Sequence, residues 1–227
     1  MSEVDITVVA DAEEAAQLVA DRLAEQAREG GSIVLTGGST PRRAYEIAAG
    51  LEPDWSRVEL WWGDERCVPP DDKRSNYAMA KAALLDRLEG APAAVHRMQG
   101  ELGRDEGTAE YRLELANVGT FDLVLLGLGP DGHIASLFPN FPTLDVTSRD
   151  VVGSEAGHEP FVDPISLTLP RLCNTRELLF LVTGEDKADA AARAFSGGPS
   201  PQTPGSLARS TEGRTRAILD RAAAAKL

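Results

Sequence analysis

The sequence predicts an α/β fold, a mostly parallel sheet covered by helices on both faces. Two observations carry this. Compact aliphatic runs alternate with segments apolar at helical spacing along the chain, the pattern of βα units rather than of hairpins. Several of those runs end in glycine-rich turns that lead toward a helix, the place where open α/β sheets collect ligands. At 227 residues, with no interdomain linker or internal repeat in view, residues 1–227 read as a single domain able to bury a sizeable core.

Residues 4–9 form the expected edge strand. The segment 12–28 carries Ala16, Val19, Ala20, Leu23 and Ala27 on one helical face, and Gly30-Gly31 ends it. A β-branched run at 32–36 breaks into Gly37-Gly38-Ser39-Thr40-Pro41 before a helix through Tyr45 and Ile47. Pro41 suits the first helical position, which makes Thr40 the expected N-cap. A strand at 57–62 continues into Gly63-Asp64-Glu65-Arg66, and a helix runs from Ser75 to about Leu88. A short strand at 94–98, a helix at 105–117 and a central strand at 122–126 follow. Further strands are expected at 151–154, 165–169 and 178–183, after which Gly184-Glu185-Asp186-Lys187 leads into a helix through Ala194. After the Pro/Gly loop 197–206, a strand at 215–219 and an alanine-rich helical tail close the chain.

The net charge of −13 argues against a nucleic-acid partner, which would want a basic face, and no polybasic membrane-binding segment occurs. The N-terminus lacks the features of a secretory signal, and no apolar run is long enough to span a bilayer. Those features point to the cytoplasm, and Cys67 and Cys173 read as ordinary thiols of a reducing compartment. An anionic ligand would need local Arg, Lys and backbone N–H groups to overcome the mean field.

Four strand exits carry such chemistry. Gly37, Gly38, Ser39 and Thr40 place small residues at a helix N-terminus, where the dipole favours a phosphate; no Gly-Lys-Ser/Thr follows, so the turn is not a triphosphate loop. Its plain alternative is an ordinary βα turn with a good cap. Asp64-Glu65-Arg66 reads either as a solvated charge cluster or as Arg66 donating to an anion while Asp64 holds it. Ser75 and Asn76 read first as a helix cap. Lys187 near a helix start is electrostatically unfavourable without an anion nearby, which inclines it toward a ligand.

The fourth exit, Gly127 to His133, formally matches the dinucleotide fingerprint G-x-G-x-x-G. Pro139 and Pro142 stop any helix there after about two turns, so the crossover helix that the fingerprint requires is not expected. His133 is expected at the start of that short helix, where a neutral imidazole is favoured and can act as a general base; the plainer role is capping the turn. Asp131 beside it suggests a metal pair, yet no other His or Cys recurs at ligand spacing. His96 and His158 read as surface or packing residues.

Together LTGGSTP at 35–41, WGDERCVPPDDKRSNYAMAKAALL at 62–85, FDLVLLGLGPDGHIASLFP at 121–139 and LVTGEDKADA at 181–190 resemble the glucosamine-6-phosphate isomerase/6-phosphogluconolactonase family, on its lactonase side. The resemblance covers nearly the whole chain. It implies a Rossmann-like fold shared with glucosamine-6-phosphate deaminases and ribose-5-phosphate isomerases. It also implies cofactor-free hydrolysis of 6-phospho-D-glucono-1,5-lactone in the oxidative pentose phosphate pathway. By motif position His133 corresponds to the general base and Arg66 and Lys187 to phosphate-side cations. Residues 37–40 correspond to the substrate-binding turn, with Asp64 the carboxylate beside the arginine. The family often has an arginine where this chain has Pro164, so another residue must supply that charge, and Arg171 is the candidate. The deaminase pattern follows DGHIA with Phe-Asn-Glu-Pro; here Ser136-Leu137-Phe138-Pro139 stand there, without the acid. A sugar-phosphate deaminase or isomerase is the rival enzyme, and a non-catalytic sugar-phosphate-binding regulator the rival of another class.

Overall fold

The computed structural model describes residues 3–52, 54–156 and 161–227. In chain order its elements are β1 (Val4–Val9), α1 (Ala12–Glu29), β2 (Gly31–Leu35), α2 (Ser39–Leu51), β3 (Val58–Trp62), β4 (Asp64–Arg66), α3 (Asn76–Ala83), β5 (Ala94–His96), α4 (Arg104–Leu115) and β6 (Phe121–Leu126). They continue with β7 (Val151–Gly153), β8 (Pro164–Leu167), α5 (Leu169–Cys173), β9 (Thr175–Val182), α6 (Ala188–Ala191) and β10 (Arg214–Asp220). Seven strands form one sheet in the order β1-β10-β9-β6-β2-β3-β5, parallel at every pairing.

Strand periodicity divides the interior into two layers. Ile33, Leu35, Leu123, Leu125, Leu179 and Leu181 face one core, packed against Val19 and Leu23 of α1, Tyr45 and Ala48 of α2 and Ala80 of α3. Val34, Val124, Leu126, Leu178, Phe180 and Leu219 face the other, with Tyr111 of α4 and Ala190 of α6. Trp61 and Trp62 are neighbours in sequence and lie in opposite layers. Each fully buried Leu or Ile contributes about 1.5–3 kcal/mol, so both layers matter to stability.

Two buried tyrosines complete the backbone pairing where strands end. Tyr111 Oη accepts the N–H of Trp62 at 3.0 Å and donates to its carbonyl at 3.1 Å, beyond the last pairing of β3 with β5. Tyr45 does the same for Thr36, at 2.9 and 2.8 Å, and so ties α2 to the turn that precedes it. Burial pushes both phenols up, and each acts as a neutral donor.

Several expectations need correction. The strands expected at 151–154 and 165–169 do not join the parallel sheet; they form β7 and β8 of a second, antiparallel sheet in which β8 lies between β4 and β7. This second sheet starts where β3 passes through Gly63 into β4, and its residues Val151, Val152, Ile165 and Leu167 cover the second core layer. No helix forms in the alanine-rich tail, which winds through turns after Asp220. The helix expected to reach Leu88 stops at Ala83 and resumes as a single 3₁₀ turn. His158 lies outside the described residues, and among them no helix is long and apolar enough to cross a membrane.

The strand order reverses between β2 and β6. From β2 the chain moves outward to β3 and β5; from β6 it moves the other way to β9 and β10. The carboxyl ends at such a reversal leave a crevice between diverging loops.

Candidate active site

A cleft of about 420 Å³ opens at that reversal, and all four strand exits reach it. Gly37, Gly38, Ser39 and Thr40 come from β2, Asp64 and Arg66 from β4, His133 from the turn after β6, and Lys187 from beyond β9. Asn76, from the start of α3, also lines it. Arg66 and Lys187 are the cations of its lining among the described residues.

α2 begins at Ser39 with Gly38 as its N-cap residue, not Thr40. The Thr40 hydroxyl is instead engaged 2.7 Å from Oγ1 of Thr183, joining the exits of β2 and β9 across the end of β6. Gly37 is required by close approach: a β-carbon there would overlap Oδ1 of Asn76. Free N–H groups at the start of α2 therefore face the cleft beside the cations, a combination suited to a phosphate.

β4 and α3 are joined through Glu65. This buried carboxylate accepts from the N–H groups of Arg66, Asn76 and Tyr77 at 2.7–2.8 Å and from the Ser75 hydroxyl at 2.8 Å. Burial pushes its carboxyl up, against the pull of those donors. Ser75 is indeed the N-cap, accepting from Ala78 N–H at 3.0 Å. Asn76 does more than the expected capping: its Nδ2 donates to the Asp64 carbonyl at 3.0 Å and to Asp64 Oδ1 at 3.2 Å. Asp64 does not hold Arg66. The Arg66 guanidinium donates to the main-chain carbonyl of Arg74 at 2.6 Å, while Asp64 Oδ2 accepts from Ser136 at 2.7 Å.

The turn after β6 differs from the helix start expected of it. Residues 127–140 run through consecutive tight turns, with Gly132 N–H bonded to the Gly129 carbonyl and Leu137 N–H to that of Ile134. Ala135 takes φ 46°, which a continuing right-handed helix forbids. His133 is therefore oriented by Asp131 and not by a helix dipole. Asp131 Oδ1 lies 2.7 Å from His133 Nδ1 and accepts its backbone N–H at 3.1 Å. Burial opposes the charge on Asp131, but the hydrogen bonds from His133 outweigh it and hold the carboxyl down to about 2. An ionised carboxylate only accepts, so Nδ1 of His133 donates, and Nε2 of the neutral ring is the basic nitrogen. The dinucleotide fingerprint lacks its crossover helix, and among the described residues no group of three or more His, Cys, Asp or Glu could hold a metal ion.

The loop 197–206 packs behind this turn. Gly205 N–H donates to the Gly132 carbonyl at 2.9 Å, and Arg193 bridges Thr203 Oγ1 at 3.1 Å and the Pro130 carbonyl at 3.4 Å. In that position it buttresses the His133 turn and contributes nothing to the cleft lining.

The family model for glucosamine-6-phosphate isomerases/6-phosphogluconolactonase matches residues 8–217. The chain belongs to this family. It is 42% identical over 232 residues to the 6-phosphogluconolactonase of Streptomyces coelicolor, covering 94% of this chain and 88% of that one. Among solved structures, the 6-phosphogluconolactonase of Trypanosoma brucei superposes with a TM-score of 0.88 at 25% identity, covering 100% of each chain. A monomeric glucosamine-6-phosphate deaminase superposes with a TM-score of 0.85 at 20% identity, covering 99% of this chain and 100% of that one, a likeness of fold alone.

Within this isomerase/lactonase fold, Arg171 is not the cation that replaces the missing arginine. It is buried in α5, at the amino end of β6, where Nη1 donates to Gly119 at 2.9 Å and the guanidinium lies 4.1 Å from the Phe121 ring centroid. That is the end of the sheet away from the cleft. Pro164 faces Arg66 across β4 and β8, so a buried apolar ring stands beside Arg66. His96, read as a surface or packing residue, stacks on Trp61 at 3.8 Å and meets Glu114 at 2.8 Å. Burial, then Asp163, raises the Cys67 thiol to about 11, and burial raises Cys173, so both are poor thiolates. Glu65, Ser136 and Thr183 were missed as site residues. Ser136 and Thr183 are polar residues within apolar or glycine-rich motifs and Glu65 sits inside a charged triplet, signals visible in sequence, but nothing local says which partner each meets.

Proposed function

We propose that this protein hydrolyses 6-phospho-D-glucono-1,5-lactone to 6-phosphogluconate by direct attack of water, with His133 as general base. The 2.7 Å contact of Asp131 with His133 Nδ1, at a cleft lined by two cations, carries the reading. Family membership and the lactonases among its similar proteins support it. Arg66, Lys187 and the first N–H groups of α2 hold the phosphate. His133 Nε2 takes a proton as water adds to the lactone carbonyl. The resulting tetrahedral intermediate breaks its bond from C1 to the ring oxygen, which receives a proton from the imidazolium. The carboxylic acid product then ionises, so each turnover consumes one water and releases one proton.

Phe138 bears on the rival. Its ring lies 4.8 Å from that of His133, at the position where the deaminase pattern carries glutamate. That flank of the base is aromatic, which suits hydrolysis without a second acid. Acid release from freshly generated 6-phosphogluconolactone, corrected for spontaneous hydrolysis, tests the reading. Acceleration supports it; no acceleration, with ammonia released from glucosamine 6-phosphate, overturns it in favour of a deaminase.

A further inference from the structure

Asp64 is 6% exposed in the wall of the cleft, and among the described residues no lysine or arginine forms an ion pair with it. Its charge is met by neutral donors: Ser136 Oγ on Oδ2 at 2.7 Å and Asn76 Nδ2 on Oδ1 at 3.2 Å. A carboxylate offers about four acceptor positions, so these two side chains leave others for a ligand. Ser136 is buried too, and its own N–H donates to Ser166 Oγ on β8 at 3.3 Å. The serine thus stands between the base-bearing turn, three residues beyond His133, and the strand that carries Asp64 and Arg66.

We propose that Ser136 is a positioning residue: its hydroxyl fixes the Asp64 carboxylate to accept a hydroxyl of the substrate's sugar ring, in register with His133. This rests on the lactonase reading above and names how that site recognises the ring. An acceptor-only group suits a hydroxyl and repels a phosphate, so Asp64 also turns the anionic end of the substrate toward Arg66, Lys187 and α2. The residue that sets the Asp64 rotamer belongs to the same short turn as the base, so ring and base are aligned by one segment. Without the Ser136 hydroxyl the carboxylate keeps the Asn76 contact and gains a rotation about its side chain.

The test is a double-mutant cycle read by lactone kinetics and by 6-phosphogluconate titration. Ser136→Ala should raise KM about tenfold, the worth of one hydrogen bond to a charged group. Ser136→Cys keeps the volume with a weak donor and should follow Ser136→Ala, which separates hydrogen bonding from packing. In an Asp64→Asn background, Ser136→Ala should add no more than about twofold, because both changes remove the same interaction. Binding of 6-phosphogluconate should weaken in parallel, with thermal unfolding reporting whether each variant folds; if Ser136→Ala does not fold, the Cys variant carries the cycle. Unchanged KM, wild-type behaviour of Ser136→Cys, or effects that multiply in the double variant overturn the proposal while leaving the lactonase reading intact. A wild-type protein that neither accelerates lactone hydrolysis nor binds 6-phosphogluconate overturns both.

Discussion

Asp131 Oδ1 sits 2.7 Å from Nδ1 of His133 and binds the backbone N–H of the same residue at 3.1 Å. One carboxylate oxygen thus fixes both the tautomer and the backbone of the proposed base. Asp131→Asn keeps the shape but allows the amide to donate to Nδ1, which would place the proton on Nε2. Turnover should fall about 10²- to 10⁴-fold with KM near the wild-type value. Steady-state lactone hydrolysis checks this, and turnover within a few-fold of wild type would remove Asp131 from the mechanism.

Gly129 offers a way to disturb His133 without replacing it. A β-carbon at Gly129 would overlap Nδ1 and Cε1 of the imidazole. Gly129→Ala should push the ring aside and lower turnover about 10²-fold, the scale of an ångström-sized misplacement. Circular dichroism and thermal unfolding should remain close to wild type, and undiminished turnover in the Gly129→Ala variant would place the working base elsewhere.

Arg66→Ala and Lys187→Ala should act on binding. Each removes a charge-assisted contact to phosphate, so KM should rise about 10- to 100-fold, with turnover changed far less. The KM of wild type should climb with ionic strength and that of each variant climb less steeply. Variants with normal KM and depressed turnover would assign these cations to the reacting carbonyl.

Stability has its own electrostatic centre at the opposite end of the sheet. Glu177, 4% exposed at its side chain, meets Arg214 at 2.7 Å, Arg22 at 3.1 Å and Arg216 at 3.4 Å. Burial raises the cost of its charge, but Arg214 and Arg22 prevail and hold the carboxyl below its ordinary range. A depressed carboxyl stabilises the fold above the unfolded-state pKa, about 4, and loses that contribution as pH falls through the folded value. Glu177→Gln removes the charge that Arg22 and Arg214 share, while Arg22 keeps Glu25 at 3.4 Å and Glu29 at 3.7 Å, and should cost about 1.5–3 kcal/mol at pH 7. Urea unfolding between pH 7 and 3 should show the gap from wild type narrowing as pH falls; a constant gap would mean that the charge is immaterial.

The local pattern of the chain was sufficient for the parallel sheet, its two covering layers and the four exits that meet at the cleft. Alternation in runs such as Ile33-Val34-Leu35 records which face each residue buries, and that property is local. Glycine turns at 37–38 and 127–132 likewise mark where backbone must bend or approach closely. Tertiary structure decided the partners. Ser136 and Asp64 stand 72 residues apart, and only the crossing of β4 over the second core layer brings them together. Arg171 has the right charge for the cleft, yet α5 leads to the amino end of β6 and carries it away. His133 follows a helix-like pattern until the turn at Ala135 breaks it, so its orientation comes from Asp131. Periodicity reports burial, which each residue satisfies on its own; a hydrogen-bonding partner is set by strand order and loop path, which belong to the whole fold.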